Sequence, residues 1–415
     1  MPRRFWVETL GCPKNQVDSD KLTGTLVADG LVEADAPGDA DLVVVNTCAF
    51  IEDARQESID TILELAGSRK DGARLVVTGC MAERSGAELA EALPEVDAVA
   101  GFAEAVPVTL GHKPSPRSAP QMDLLHLARP KASAPWAYVK VAEGCDRACG
   151  FCAIPSFRGK QRSRSLDDIL VEVDALDARE IVLVAQDLAS YGRDQGRGER
   201  AIVPLIEAVA ARVERVRLLY LYPSDLTDRL EDAVCATGVP YFDLSLQHVS
   251  APLLRRMRRW GDGDRFLRRI RRIRTQDPSA AFRSNFIVGY PGETEADHDA
   301  LLAFIDEAQL DWCGFFAFSE EDGTYAAGLD GKVDRGLIEE RLAELRERQE
   351  AITWARRDEL VGSRVEVLVD EPGVGRSHRE APEIDGVVLV PDGLVPGTFA
   401  SLTVTAALGP DLTAA

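Results

Sequence analysis

Short runs rich in Val and Ile alternate with amphipathic stretches along most of the chain. In residues 1–110, Phe5–Leu10, Asp41–Thr47 and Arg74–Thr78 read as strands, while Asp18–Asp29, Ile51–Ala66 and Ala87–Leu93 read as helices. Strand, helix, strand at this spacing predicts a parallel, doubly wound sheet. Residues 111–134 lose the pattern and carry Pro114, Pro116, Pro120 and Pro130, the composition of a linker. The alternation resumes over residues 135–358. Its strand-like runs are Ala137–Val141, Glu180–Ala185, Val216–Tyr222, Tyr241–Leu246, Ala281–Val288 and Trp312–Phe318. The helices between them are Leu166–Leu176, Ile202–Val213, Leu226–Thr237, Arg265–Thr275 and Glu295–Ala308, and Arg335–Leu360 reads as a long charged helix. Six parallel units are too few for an eight-fold barrel, so a partial (β/α)6 barrel is expected, with its site at the C-terminal strand ends. Residues 359–415 change to short strands, Arg364–Asp370, Gly386–Val390 and Phe399–Thr405, broken by Gly and Pro turns. They predict a small all-β barrel of the oligonucleotide-binding kind.

Composition narrows the class. The chain has 415 residues, 45% of them apolar and 28% charged, which suits two to four globular domains and excludes a wholly disordered protein. Its net charge is −21, which repels a phosphate backbone and favours a basic partner. No apolar run approaches the ~18 residues of a membrane span. The N-terminus reaches Glu8 before any apolar signal region can form. The eight cysteines are therefore expected in a reducing cytoplasm, where metal or redox chemistry is a better reading than disulfides.

Cys145, Cys149 and Cys152 fall within eight residues, directly after the first barrel strand. Structural zinc sites want four ligands and usually pair two C-x₂-C hooks, and no second hook follows nearby. Three thiolates suit a [4Fe–4S] cluster with one iron open to a ligand, zinc being the competing reading. In the N-terminal unit, Cys12, Cys48 and Cys80 each follow one of the three expected strands. Strand ends of a doubly wound sheet share one crevice, so these thiols can converge on a second cluster. The plainer reading is three inert buried cysteines. Cys235 and Cys313 lie on an amphipathic helix and in an apolar strand, where core packing accounts for both.

Several strings resemble the methylthiotransferase family of radical S-adenosylmethionine (SAM) enzymes. They are Glu143–Cys145 through Cys152-Ala153-Ile154-Pro155-Ser156-Phe157-Arg158-Gly159, and Phe286-Ile287-Val288-Gly289-Tyr290-Pro291-Gly292-Glu293-Thr294. The tail looks like a TRAM domain. The resemblance covers essentially the whole chain and implies two [4Fe–4S] clusters with SAM as cofactor. It implies that Cys145, Cys149 and Cys152 hold the cluster that chelates and cleaves SAM to a 5′-deoxyadenosyl radical. Cys12, Cys48 and Cys80 then hold the cluster that delivers sulfur, one SAM giving the methyl group and a second the radical. No catalytic side chain beyond these ligands is indicated. The string Gly11-Cys12-Pro13-Lys14-Asn15-Gln16-Val17-Asp18-Ser19 looks like the branch that methylthiolates the β-carbon of an aspartate in small-subunit ribosomal protein twelve. The alternative is a tRNA adenosine acceptor with the same chemistry.

Charge bears on that choice. Residues 361–415 carry three Arg and no Lys against eight Asp and Glu, whereas a nucleic-acid barrel should be basic. Residues 1–110 carry nine Lys and Arg against twenty Asp and Glu. The expected partner is therefore a basic small-subunit ribosomal protein, free or in the subunit, with no membrane and no stable nucleic-acid complex. The electron donor is marked by no motif. Against this stands Arg255–Arg274, with ten Arg and two Asp, which reads either as a nucleic-acid or SAM-carboxylate patch or as a solvated helix face. By resemblance, Phe151 backs the adenine of SAM, although its ring also suits core. Gln186, at the end of the second barrel strand, suits a SAM contact or a loop cap. His248 is a proton carrier or a structural group. Gly289 and Gly292 mark a backbone turn. A non-enzymatic zinc scaffold is the third reading.

Overall fold

The structure is a computed structural model that describes residues 2–102, 123–197 and 199–415. Its N-terminal lobe is a five-stranded parallel sheet of β1 (Arg4–Thr9), β2 (Val32–Glu33), β3 (Leu42–Thr47), β4 (Arg74–Gly79) and β5 (Ala98–Val99). The order is β2-β1-β3-β4-β5, and the helices are α1 (Pro13–Ala28), α2 (Glu52–Ser68) and α3 (Cys80–Ala92). Helices cover both faces, so β3 is buried along its full length, as its Val run requires. Two helices begin earlier than their apolar periodicity suggests. α1 starts at Pro13, where Pro is tolerated because a first-turn N–H has no helical partner, and α3 starts at Cys80 and bends at Ser85. The early turns carry buried polar groups, Lys14, Asn15 and Asp18 in α1, that a hydrophobic count passes over.

The first half of the barrel contains β6 (Trp136–Lys140), β9 (Glu180–Val184) and β10 (Arg215–Leu218), with a side ladder of β7 (Ala142–Glu143) and β8 (Arg162–Ser163). The second half contains β11 (Tyr241–Gln247), β12 (Ala281–Val288) and β13 (Trp312–Ala317). A parallel bridge between Leu221 and Leu244 joins the halves, giving one curved sheet from β6 to β13 with an open side between those two strands. Its helices are α4 (Ile154–Phe157), α5 (Leu166–Leu176), α6 (Glu199–Ala210), α7 (Asp228–Cys235), α8 (Ala251–Arg256), α9 (Gly263–Gln276), α10 (Glu295–Ala308) and α11 (Arg335–Asp358). Short α8, built on Ala251-Pro252, was not expected from the sequence.

The tail closes into a barrel of β14 (Arg364–Glu371), β15 (Val374–Arg376), β16 (Val388–Leu389), β18 (Asp411–Ala414) and β17 (Phe399–Leu408). β15 and β18 are too short to stand out in the pattern. Residues 377–385 of this unit seal the N-terminal mouth of the large barrel. The Tyr138 hydroxyl donates to the Pro382 carbonyl at 2.8 Å, Trp312 Nε1 to the Arg379 carbonyl at 2.8 Å, and the Tyr241 hydroxyl to Asp385 at 2.6 Å. Buried Glu180 takes Arg217 at 2.8 Å and Arg376 at 3.0 Å across the same seam.

The N-terminal lobe lies across the open side. At the β6 edge, Asp18 pairs with Lys140. At the β13 edge, Arg55 and Arg84 both reach buried Glu321, at 2.5 and 2.6 Å. Of the expected linker, residues 111–122 lie outside the described residues. Its remainder is packed: Leu124 and Leu125 are buried, Lys21 donates to the Leu125 carbonyl at 2.8 Å, and Arg129 pairs with Asp20 and Glu172 at 2.9 and 3.0 Å. Apolar Leu124-Leu125 between polar neighbours was the signal of that packing.

Candidate active site

Cys12, Cys48 and Cys80 come together at the C-terminal edge of the N-terminal sheet, because each follows β1, β3 or β4 by at most three residues. Gly11 adopts φ +97°, and a Cβ there would lie 2.9 Å from the Cys48 sulfur, so Cys48 packs on the backbone beside Cys12. Gly79, at φ +95°, turns β4 into α3, and a Cβ would strike the Asn46 side chain at 2.4 Å and the Thr47 backbone at 2.6 Å. Asn15 ties the crevice together: its amide donates to the carbonyls of Leu10 at 2.8 Å and Thr47 at 3.1 Å, and its Oδ1 faces Cys80 Sγ at 3.6 Å. Burial pushes the Cys48 thiol up to about 12 and raises Cys80. Burial also opposes ionisation of Cys12, but Lys14, the Asn15 and Lys14 N–H groups and Arg158 outweigh it and hold that thiol below its usual value.

Cys145, Cys149 and Cys152 sit in the loop after β7 at the C-terminal end of the barrel. Gly144, at φ +80°, makes the turn into it, where a Cβ would lie 2.2 Å from the Lys160 carbonyl. The Arg147 N–H faces Cys145 Sγ at 3.4 Å, and Arg259 faces Cys149 Sγ at 3.2 Å. Burial raises Cys145 to about 11 and Cys152 to about 12. Beside the loop, Arg147 is held by Asp187 at 2.6 Å and by Asp225.

A buried polar seam joins the two trios. Arg158 reaches Cys80 Sγ at 3.0 Å, Asn15 at 2.8 Å, Asp18 at 3.0 Å and Glu143 at 3.0 Å. Lys140 adds pairs to Asp18 and, at 2.6 Å, to Glu143. Burial opposes charge on all three groups. Asp18 and Glu143 nevertheless hold Lys140 above its ordinary value, and Glu143 and Cys80 act first on Arg158. In turn, Arg158 and Lys140 hold Glu143 well below the usual carboxylate range. Ala153, just before α4, and Phe157, its last residue, pack with Cys80 and Met81 in the core of the N-terminal lobe.

The other expected positions divide. Gln186 continues the inward row of Val182 and Val184; its amide donates to Glu143 at 2.5 Å and its Oε1 is buried without a partner. Asn285, inward on β12, has a similarly orphaned Oδ1. Phe151 is half-buried against the barrel core, and Cys235 and Cys313 pack on that core too. His248 is fully buried; burial lowers it to about 4, its Nδ1 accepts the Ser250 N–H at 3.1 Å, and its Nε2 is buried without a partner. Gly289 and Gly292 are turn glycines at φ +82° and +89°. Five of the ten arginines in Arg255–Arg274 have acidic partners: Arg256 with Asp330 at 2.5 Å, Arg265 with Asp262 at 3.1 Å, Arg269 with Glu231, Arg271 with Glu307 and Arg272 with Asp228. Arg259 is the member that turns into the site. Sequence reasoning passed over Asn15, Glu143, Arg158 and Tyr220 as site residues, although all but Tyr220 stand in the strings that carry the family resemblance.

No group of three or more His, Cys, Asp or Glu among the described residues is arranged to hold a single metal ion. A cubane presents separate irons to separate thiolates, so its ligands stand farther apart than those of one tetrahedral ion. Three-cysteine sets with guanidinium groups on their sulfurs, beside orphaned polar atoms, fit such clusters and an organic co-ligand.

Family models match three segments: the "Uncharacterized protein family UPF0004" over residues 4–101, the radical SAM superfamily over 139–305 and the TRAM domain over 361–415. Among solved structures, the fold is similar to the radical S-adenosylmethionine methyltransferase TsrM from Kitasatospora setae, with TM-score 0.51, 14% identity, and coverage of 84% of this chain and 89% of that one. The molecule is a radical SAM enzyme. Two relatives named ribosomal protein uS12 methylthiotransferase RimO refine this. The Streptomyces griseus protein is 40% identical, with 100% of this chain and 98% of that one covered, and the Moorella thermoacetica protein is 44% identical, with 93% of each covered. The chain belongs to the RimO family of methylthiotransferases.

Proposed function

We propose that the protein methylthiolates the β-carbon of an aspartate in the small-subunit ribosomal protein uS12. What supports this reading is a buried ion-pair seam in which Arg158 reaches both Cys80 and Glu143, two residues before Cys145, in a chain matched end to end by RimO relatives. Cys145, Cys149 and Cys152 would hold the SAM-binding [4Fe–4S] cluster, and Cys12, Cys48 and Cys80 the second. When bound, these groups and SAM supply radical generation and sulfur donation. The chain's own residues fix and enclose them. Arg158 and Asn15 orient Cys80, Arg259 offsets charge at Cys149, and the orphaned oxygens of Gln186 and Asn285 offer acceptors to SAM, with Phe151 at the loop. Closure of the barrel by the N-terminal lobe and by residues 377–385 keeps bulk water away from the reacting centre. The uS12 acceptor agrees with the acidic tail, where Arg376 and Arg379 are buried in docking the barrel and Arg364 is the one arginine left exposed towards a tRNA.

Anaerobic incubation with SAM, reductant and either uS12 or tRNA, followed by mass spectrometry, tests the acceptor. A methylthio gain on uS12 is expected; a gain on tRNA alone overturns the reading. Iron and sulfide analysis tests the cofactors. About eight irons per chain are expected, falling to about four in the Cys145, Cys149 and Cys152 to Ala triple variant.

A further inference from the structure

Lys14 stands at the second position of α1, next but one to Cys12. Its side chain is buried, with the residue only 8% exposed, and its ammonium lies 3.3 Å from the centre of the Tyr220 ring. Among the described residues, this Nζ has no hydrogen bond and no ion pair. The surrounding cations differ. Lys140 has Asp18 and Glu143, Lys21 has Glu172 at 3.4 Å, Arg147 has Asp187 and Asp225, and Arg283 has Asp243 at 3.2 Å. The counter-charge of Lys14 among the described residues is the Cys12 thiol, which it helps to hold below its usual value, and the aromatic face replaces only part of what a carboxylate would give it.

Tyr220 is unusual in the same place. It follows β10 at the C-terminal end of the barrel and adopts φ +65°, a left-handed conformation that a bulky residue takes at a cost. Backbone contacts enforce it: the Tyr220 N–H donates to Asp243 at 2.9 Å, and its carbonyl accepts the Leu188 N–H at 3.3 Å. Its hydroxyl has no partner among the described residues. Strained residues at strand ends of such barrels are commonly there to meet a ligand.

The geometry therefore brings three things together at the seam between lobe and barrel: the first trio of thiols, a cation without a carboxylate partner, and a tyrosine strained into place beneath it. We infer that Lys14, braced on the Tyr220 ring, binds the side-chain carboxylate of the residue to be modified and so fixes the adjoining β-carbon. This rests on the aspartate acceptor proposed above. The three ammonium donors match a carboxylate, whereas a carboxamide in that position offers no charge to balance the buried cation. Lys14 is thus a specificity-determining residue for acidic acceptors. The competing role is a simple counter-charge for the cluster held by Cys12. Lys14 acts on Cys12 more strongly than Arg158 does, so the test below is built to separate the two roles.

The test uses cluster-loaded protein with SAM and no reductant, and a fluorescein-labelled peptide copying the modified loop of uS12 with either Asp or Asn at the acceptor position. Anisotropy gives Kd for each. The wild type should bind the Asp peptide at least about tenfold more tightly than the Asn peptide. Lys14→Met should abolish that preference by weakening the Asp peptide alone, and Lys14→Arg should keep most of it. Iron content is measured for each variant, and Lys14→Gln replaces Lys14→Met if the latter loads poorly. Tyr220→Leu, which removes the brace, should reduce the preference with Lys14 intact. If Lys14→Met and Lys14→Gln discriminate as the wild type does, even with a shifted cluster reduction potential, Lys14 is only a counter-charge and the inference is overturned. If the wild type binds both peptides alike yet methylthiolates uS12, the inference fails while the proposed function stands. If the wild type acts on neither uS12 nor its peptides, both fall.

Discussion

Arg158 shows how much one side chain carries. It is nearly buried, and it satisfies Asp18, Glu143, Asn15 and the Cys80 sulfur at once while lying over the Phe102 ring. Removing its charge leaves two buried carboxylates sharing Lys140. The Arg158→Gln variant should lose about 3–5 kcal/mol of stability, the range for breaking a buried ion pair from one side, as measured by urea unfolding. Its N-terminal trio should also lose iron before the loop trio does. Arg158→Lys keeps the charge but not the fork, and should lie between the two. A result within ~0.5 kcal/mol of wild type for Arg158→Gln would mean that the seam repacks around water.

Two glycine turns decide whether the elements around them can present sulfur at all. Gly79 and Gly144 adopt positive φ and sit against backbone atoms that cannot swing away. Gly79→Ala should displace Cys80 and cost about half of the iron, and Gly144→Ala should displace Cys145 and cost the other half. Iron analysis of the two variants, with each expected to spare the opposite site, is the check. This scale is also where the sequence was most and least legible. Val runs in β3 and β4 and the alternation in β12 announced themselves, since their apolar faces have no other use. The start of α1 did not, because Lys14, Asn15 and Asp18 are buried there by pairing and packing on other groups. The grouping of Cys12, Cys48 and Cys80 was legible because each follows a strand, and that of Cys145, Cys149 and Cys152 because they share one loop. Tyr220 could not, because its significance lies in a backbone angle and in a neighbour 206 positions away in the chain, Lys14.

For the whole molecule, the docking of the C-terminal barrel depends on protonation. Glu180 and Glu380 are buried, which opposes their charge, yet arginines led by Arg376 and Arg357 hold both near 2. Their folded values lie below the unfolded ones, so they add stability above about pH 4.5 that is lost as pH falls towards 2. His378 and His248 are lowered to about 4, chiefly by burial. They add stability present above about pH 6.5 and lost as pH falls towards 4. Both windows run the same way, but Asp385 at the same seam, which burial raises to about 6, opposes them by adding stability as pH falls from about 6 towards 4, so net loosening is expected below about pH 4. Fluorescence of Trp312 and Trp136, which stand at that seam, should report it, and a flat signal from pH 6.5 to 3 would contradict it. The short segment from Ala153 to Arg158 has a different consequence. One of its ends continues the loop of the second sulfur trio, and the other grips the first, so it works as a gauge block between two reactive centres. Lengthening or shortening that block by a single residue would reset the gap an acceptor atom must cross, which makes those six positions the natural place to retool this scaffold for a bulkier target.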